Sequence, residues 1–326
     1  MSIIKKPVAI LIIFFLLAIF GIFLSVMKGS VEISFEEILS ALIGENFGIH
    51  EQILNNIRLP RTIVAALVGI NLSLSGAILQ AVMKNPLADP HIIGISSGAG
   101  LAGIAVMLLF PEKNFAITPV AFIGAMSAAF LIYILAWKNG IRPIRIILAG
   151  VAVSAFLGAG ISSLMILHSE KVHGALMWMV GGLSARSWIH VEIILPYAIF
   201  GSIISIIGAR YLNILLLGDE TAKSLGLRVE LVRIFFTAIA ALLAASAVSV
   251  VGLLGFVGLI VPHAARLIIG TDHNYLLPAT MLLGIATVTI SDTFARTVVA
   301  PVELPVGIVM AVTGAPFFLF LLRKEL

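Results

Sequence analysis

Not one of the 326 residues is a cysteine. Disulfides, thiolate metal sites and cysteine nucleophiles are therefore excluded together. Charge is nearly as scarce. Asp, Glu, Lys and Arg make up 11% of the chain, against about 25% in a soluble domain. So few polar side chains cannot cover a globule in water. The formal net charge of +4 does not point to nucleic acid, because the basic residues stand singly between apolar runs and form no patch. A GxxxxGK[ST] phosphate loop is missing as well, so the chain lacks the usual means of cradling a nucleotide triphosphate.

What the chain has instead is apolar sequence, 60% of all residues. Length alone suggests about two soluble domains, but a bilayer core needs about 20 apolar residues per helix, and the composition favours that solution. Ten spans are expected, at about 7–27, 61–83, 92–110, 117–137, 144–167, 191–213, 232–250, 252–269, 277–295 and 305–322. The runs are too long for strands and show no period of two. In lipid the backbone must bond within its own segment, so helices follow. The first run, Pro7 to Met27, follows Lys5 and Lys6 like a signal peptide. It is long enough to span and lacks a good cleavage site, so it reads as a retained first helix.

Loop charges set the expected orientation. With the N-terminus inside, 13 basic residues fall inside and 7 outside, which accounts for all 20. The acids lean outward, among them Glu36, Glu37, Glu112, Glu170, Asp292 and Glu303. Both termini are expected in the cytoplasm. Residues 28–60 form a long outer loop, where Ser34-Phe35-Glu36-Glu37 resembles a helix start. Residues 214–231 form a long inner loop, in which Leu217, Ala222 and Leu225 are expected to make the apolar side of a short helix stopped by Gly226. Residues 168–190, with Trp178 and Trp188, read as an outer interfacial segment. Small residues such as Gly69, Ser73, Gly76, Gly94, Gly98 and Gly103 suit close helix packing. The hydropathy of 61–167 and 232–322 suggests two halves of an inverted repeat, one starting outside and the other inside.

Three segments stand out. The first runs from Gln80 to Gly100 and contains Lys84-Asn85-Pro86-Leu87-Ala88-Asp89-Pro90-His91, whose prolines break any helix at the expected inner boundary. It reads either as an ordinary turn or as a constriction facing a cavity. The second is Gly255-Phe256-Val257-Gly258-Leu259-Ile260-Val261-Pro262-His263-Ala264-Ala265-Arg266. His263 has no second ligand nearby in its own helix, so a hydrogen-bonding role is favoured over a metal or proton relay. The third joins Asp292 and Arg296, four residues apart and able to pair on one helix, to Glu303-Leu304-Pro305-Val306-Gly307. Gly314-Ala315-Pro316-Phe317-Phe318 is then expected to interrupt the last span.

These segments resemble FecCD-type, BtuC-like permeases, the membrane subunits of ABC importers for iron–siderophores, haem and cobalamin. NPLADPxxxGxSSGA is matched by residues 85–99, GFxGLxxPHxxR by 255–266, and the D…AR…ELPxG…GAPFF series by 292–318. The resemblance covers nearly the whole chain. It implies an all-α polytopic membrane protein of about ten helices with the type II ABC importer permease fold. It also implies a homodimer or a pairing with a close paralogue, two ABC ATPase subunits below, and a substrate-binding protein outside. Neither a cofactor nor a catalytic residue is implied. Asn85 and Leu87 match inner-gate positions. Leu217, Gly218, Asp219, Glu220, Ala222, Leu225 and Gly226 fall in the loop that would couple to the ATPase. Arg58, Arg61 and Arg296 match arginines that meet acids of the binding protein, while Arg142 reads only as an inner anchor. Selectivity in the family sits mostly in the binding protein, so ferric siderophore is favoured over haem and cobalamin on family frequency alone. An ion-coupled transporter would need carboxylates within its spans, and a non-transporting receptor has no use for the broken turns.

Overall fold

Helices account for nearly all regular structure in a computed structural model that describes residues 7–29, 49–138 and 143–325. The expected helix start at Ser34 to Glu37, and Arg142, lie outside the described residues. Helix α1 is Pro7–Met27 and α2 is Ile49–Ile53. A π-helical turn, Leu54–Arg58, joins α2 to α3, Leu59–Val82. After a turn come α4 (Ile95–Leu109), α5 (Ile117–Ala136), α6 (Pro143–Leu167) and the short α7 (Val172–Val180). Helices α8 (Trp188–Ile207) and α9 (Ala209–Leu216) are nearly continuous, and α10 is Asp219–Ser224. The chain ends with α11 (Val229–Val251), α12 (Val257–Ile269), α13 (His273–Thr297) and α14 (Val306–Glu325). Among the described residues, seven helices are long and apolar enough to cross a membrane, and three more apolar helices are shorter. Each of the expected spans overlaps one of these.

Helices α3 and α11 form the centre. Val64, Val68, Leu74, Ile78 and Leu79 of α3 and Ala240, Leu243, Ala244, Ala247 and Val250 of α11 are all buried. Around them α1, α5, α6 and α8 expose their outer faces, as with Phe15, Phe130, Phe156 and Phe200. A bundle in water would hide those side chains, whereas lipid solvates them. Small residues decide how closely the centre packs. A Cβ at Gly76 would run into the carbonyl of Gly258 in α12, and one at Gly69 into the carbonyl of Gly284 in α13. Helix α1 belongs to this bundle, packing on α13 and α3, with Ser25 Oγ and Thr62 Oγ1 hydrogen-bonded at 2.8 Å.

Several helices break inside the apolar layer. α11 stops at Gly252 (φ 80), and α12 starts only after Phe256 (φ 67). The freed backbone groups find partners nearby. Trp178 O accepts from Leu253 N at 3.3 Å, Val251 O from Gly182 N at 2.9 Å, and Gly181 O from Gly307 N at 3.1 Å. The ends of α7, α11 and α14 therefore complete one another, which irregular backbone at membrane depth requires. Two expectations change here. Pro316 does not interrupt the last span, because α14 runs through it, as membrane helices permit when neighbours absorb the lost bond. Trp178 is buried rather than interfacial, while Trp188 is exposed and donates Nε1 to Asn55 O at 2.9 Å.

Candidate functional site

Polar side chains gather at the two ends of the bundle. Among the described residues, charged side chains that the loop charges put on the same side come together. Arg58, Arg61, Ser184, Asp292, Arg296 and Glu303 meet at one end, and Lys84, Asp219, Glu230 and Arg233 at the other.

At the end expected inside, α3 stops at Val82, and Pro90–Ile93 forms a single 3-10 turn before α4. The prolines act here as the sequence requires. Asn85 caps the turn with its own side chain, Oδ1 accepting from Leu87 N at 2.9 Å. Asp89 does the same for His91 N at 2.9 Å. Asn85 and Leu87 are half-buried. Gln80, one turn before the break, receives Arg266 Nη2 at 2.7 Å and reaches toward Leu259 O at 3.3 Å, so the segment is fastened to α12. His263 is buried in α12, its ring edge-on to Phe317 with centroids 6.5 Å apart.

Helix α10 stands beside this turn. Gly218, at φ 106, lets the chain enter it, and Gly226, at φ 81, ends it, with Leu227 N bonded back to Ala222 O at 3.0 Å. This is the expected glycine stop. The expected apolar face is different. Ala222 is wholly buried, but Leu217 is 59% exposed and Leu225 60% exposed. Leu217 precedes the helix and Leu225 follows it, so both point away from the side that Ala222 buries. Burial pushes the Asp219 carboxyl up, but the hydrogen bond from Lys84 and the charge of Arg233 outweigh it and hold the group below the usual carboxylate range.

At the opposite end the three arginines expected to face outward come together and turn inward. Arg58, Arg61 and Arg296 are 3%, 6% and 5% exposed. The last carbonyls of α1 have no donor within their own helix. Arg58 Nη1 supplies Val26 O at 2.8 Å and Met27 O at 2.7 Å, and Arg296 Nη2 supplies Ser25 O at 2.5 Å. Positive charge at a helix C-terminus is favourable in itself. Arg61 holds Asp292 with both arms of its fork, at 2.9 Å each, and reaches Glu303 at 2.8 Å. Arg296 Nε lies 3.5 Å from Asp292, the pairing at four residues' spacing that the sequence allows. Burial raises Glu303, yet the Arg61 hydrogen bond and charge bring it below its ordinary value. Arg186, near this cluster, is pushed down by burial and then by the charge of Arg61. Within the cluster itself three guanidiniums, Arg58, Arg61 and Arg296, stand against two carboxylates, Asp292 and Glu303.

A bundle of many long apolar helices, several of them broken where they pack on one another, is the architecture of a polytopic membrane protein. The chain belongs to the FecCD transport family, whose pattern it matches over residues 16–324, and it is a permease subunit of an ABC importer. It is 44% identical to the cobalamin import system permease protein BtuC of Halobacterium salinarum over 86% of this chain and 76% of that one. It is 41% identical to the Fe(3+)-citrate import system permease protein YfmE of Bacillus subtilis over 98% and 96%. A solved inward-facing ABC transporter, assigned to the metal-chelate type, superposes with a TM-score of 0.87 at 29% identity, covering 97% of this chain and 99% of that one.

Proposed function

We propose that the subunit carries an iron(III)–siderophore complex across the cytoplasmic membrane, with its Lys84–Asp219 end in the cytoplasm. Two ATPase subunits drive it, and an extracytoplasmic binding protein delivers the cargo. The observation that carries the coupling is α10. Leu217 and Leu225 flank it and stay exposed beside the gate turn, and exposed leucines on a polar end ask for a partner's apolar socket. Asn85 and Leu87 close the path from below.

The path itself runs along a two-fold axis between this subunit and a second copy or close paralogue. In support, α6 exposes Ala152, Ala155, Ala159, Ser162 and Ser163 beside Phe156, a small and partly polar face that suits a partner or a wet path better than lipid. The inverted repeat, 61–167 and 232–322, is carried with this reading. In each half a long buried helix, α3 or α11, is followed by a break and a short helix, α4 or α12, and then by two longer ones.

Iron chelate is favoured because a permease named for Fe(3+)-citrate aligns with 98% of the chain. Cobalamin is the second reading, from the 44% identity to a cobalamin permease. Cells lacking this subunit separate the two. Uptake of radioactive iron from ferric citrate or a ferric hydroxamate is expected to fall to background and to return with the gene, while uptake of labelled cyanocobalamin and haem is unaffected. Loss of cobalamin or haem uptake with iron uptake intact would contradict the siderophore assignment.

A further inference from the structure

Lys84 immediately precedes the gate turn, and its backbone sits at φ 49, a region that costs a residue with a Cβ. Its Nζ lies 2.5 Å from Asp219 Oδ1 at the start of α10. The same carboxylate is gripped from the other side by Arg233 of α11, whose Nη2 stands 3.1 and 3.2 Å from its two oxygens. Arg233 is only 2% exposed, and Glu230 is 3.7 Å away from it. One carboxylate thus receives a cation from the gate turn and another from a buried arginine at the start of α11.

The two sides of this link differ. The Arg233 side is enclosed and fixes Asp219, and with it α10, to the inner end of α11. The Lys84 side is partly open to water, where a salt bridge adds little to stability. Its consequence is mechanical. The turn beyond Lys84 is braced by Asn85 N to Gln80 O at 3.1 Å and Ala88 N to Asn85 O at 3.1 Å, besides the Asn85 side-chain bond to Leu87 N. A pull on Lys84 is therefore passed to Asn85 and Leu87 rather than absorbed between them. Through Gln80 and Arg266 the same turn is also held by α12. The gate turn lies between two attachments, and the ionic one leads to the helix proposed to meet the ATPase.

We propose that Lys84 and Arg233, acting together on Asp219, are positioning residues that make the coupling helix, the inner end of α11 and the gate turn one moving unit. Displacement of α10 by nucleotide in the ATPase then moves Asn85 and Leu87 within the same subunit. The inference rests on the reading of these segments as coupling helix and gate.

Because the chain has no cysteine, Leu87→Cys is its sole thiol. The assembled complex with its ATPase is placed in inside-out vesicles and treated with an impermeant maleimide, nucleotide-free or trapped with ATP and vanadate. Labelling of the permease band is followed in time. With Lys84 present, trapping is expected to change the labelling rate about tenfold, in the usual range of coupling between sites. Lys84→Met is expected to abolish the nucleotide dependence while ATP hydrolysis continues, and Lys84→Arg to keep it. Asp219→Asn alone is expected to lose the nucleotide dependence as Lys84→Met does, because both cut the same link. A merely structural role would lower the amount of folded complex and leave the nucleotide dependence of the remainder intact. A full nucleotide response in Lys84→Met overturns the proposal while leaving the gate standing. A flat response with Lys84 present, in a complex that hydrolyses ATP, removes the gate assignment and the link with it. Labelling only in right-side-out vesicles refutes the orientation.

Discussion

Replacing Asp292 with alanine is expected to destabilise the arginine-cluster end of the bundle by about 3–5 kcal/mol, the cost of stranding buried charge. Asp292 is wholly buried and is the shared counter-ion of Arg61 and Arg296. Without it Arg61 keeps Glu303 at 2.8 Å, but the enclosed Arg296 is left with the neutral partners Ser25 and Thr293 and cannot reach water without opening the packing of α1, α3 and α13. Arg58→Met is a milder change at about 1–3 kcal/mol, since the partners it strands at the end of α1 are neutral carbonyls. Thermal unfolding in detergent orders the two variants. An Asp292→Ala protein that melts with the native chain would show that the cluster does not hold the helices together. Asp292→Asn keeps the shape and adds net positive charge. If this end also attracts acids of the binding protein, capture at low salt should become faster in the folded fraction, because such charges act mainly on association rate. An unchanged rate would leave the arginines with their internal role alone.

Leu225→Asp is expected to do the opposite, sparing the fold and removing the partner. Leu225 is 60% exposed, so a charge there costs the isolated subunit little. In an apolar socket of the ATPase it would be buried without a partner, a loss of at least about 2 kcal/mol and so roughly 30-fold or more in affinity. The variant should insert and melt normally, fail to copurify with the ATPase, and lose uptake. Copurification at native levels would refute the coupling assignment. Ala222→Asp serves as a contrast, because Ala222 is wholly buried and a charge there should damage folding as well.

The elements were legible because the bilayer imposes length and apolarity on each span, and because proline and glycine mark their own breaks. Pro86 and Pro90 announce the turn between α3 and α4, and Gly226 announces the end of α10. Rotation about a helix axis was harder to read. In a helix that is apolar all round, no amphipathic stripe says which face is buried. Arg58, Arg61 and Arg296 were expected at one end of the bundle and do meet at one end, but nothing local showed that they point into it. Their partners lie far along the chain, since 231 residues separate Arg61 from Asp292 and 32 separate Arg58 from Val26. The Asp292–Arg296 contact, by contrast, was visible from its spacing. The position of Arg233 shows the same limit. It fell at the edge of an expected span, yet the structure buries it completely because Asp219, on a separate helix, comes to meet it. Pro316 misled in the other direction, as a signal that breaks helices in water is tolerated in a packed membrane helix.

The central claim is that this bundle moves its cargo by coupling to ATP. The most direct measurement reconstitutes the subunit in proteoliposomes with its ATPase and with loaded binding protein outside. Radioactive iron entering from a ferric hydroxamate is then counted with ATP inside, without ATP, and with an imposed proton or sodium gradient in place of ATP. The account predicts accumulation only when ATP, the ATPase and the binding protein are all present, and no response to either gradient. Accumulation driven by a gradient in the absence of the ATPase would contradict it.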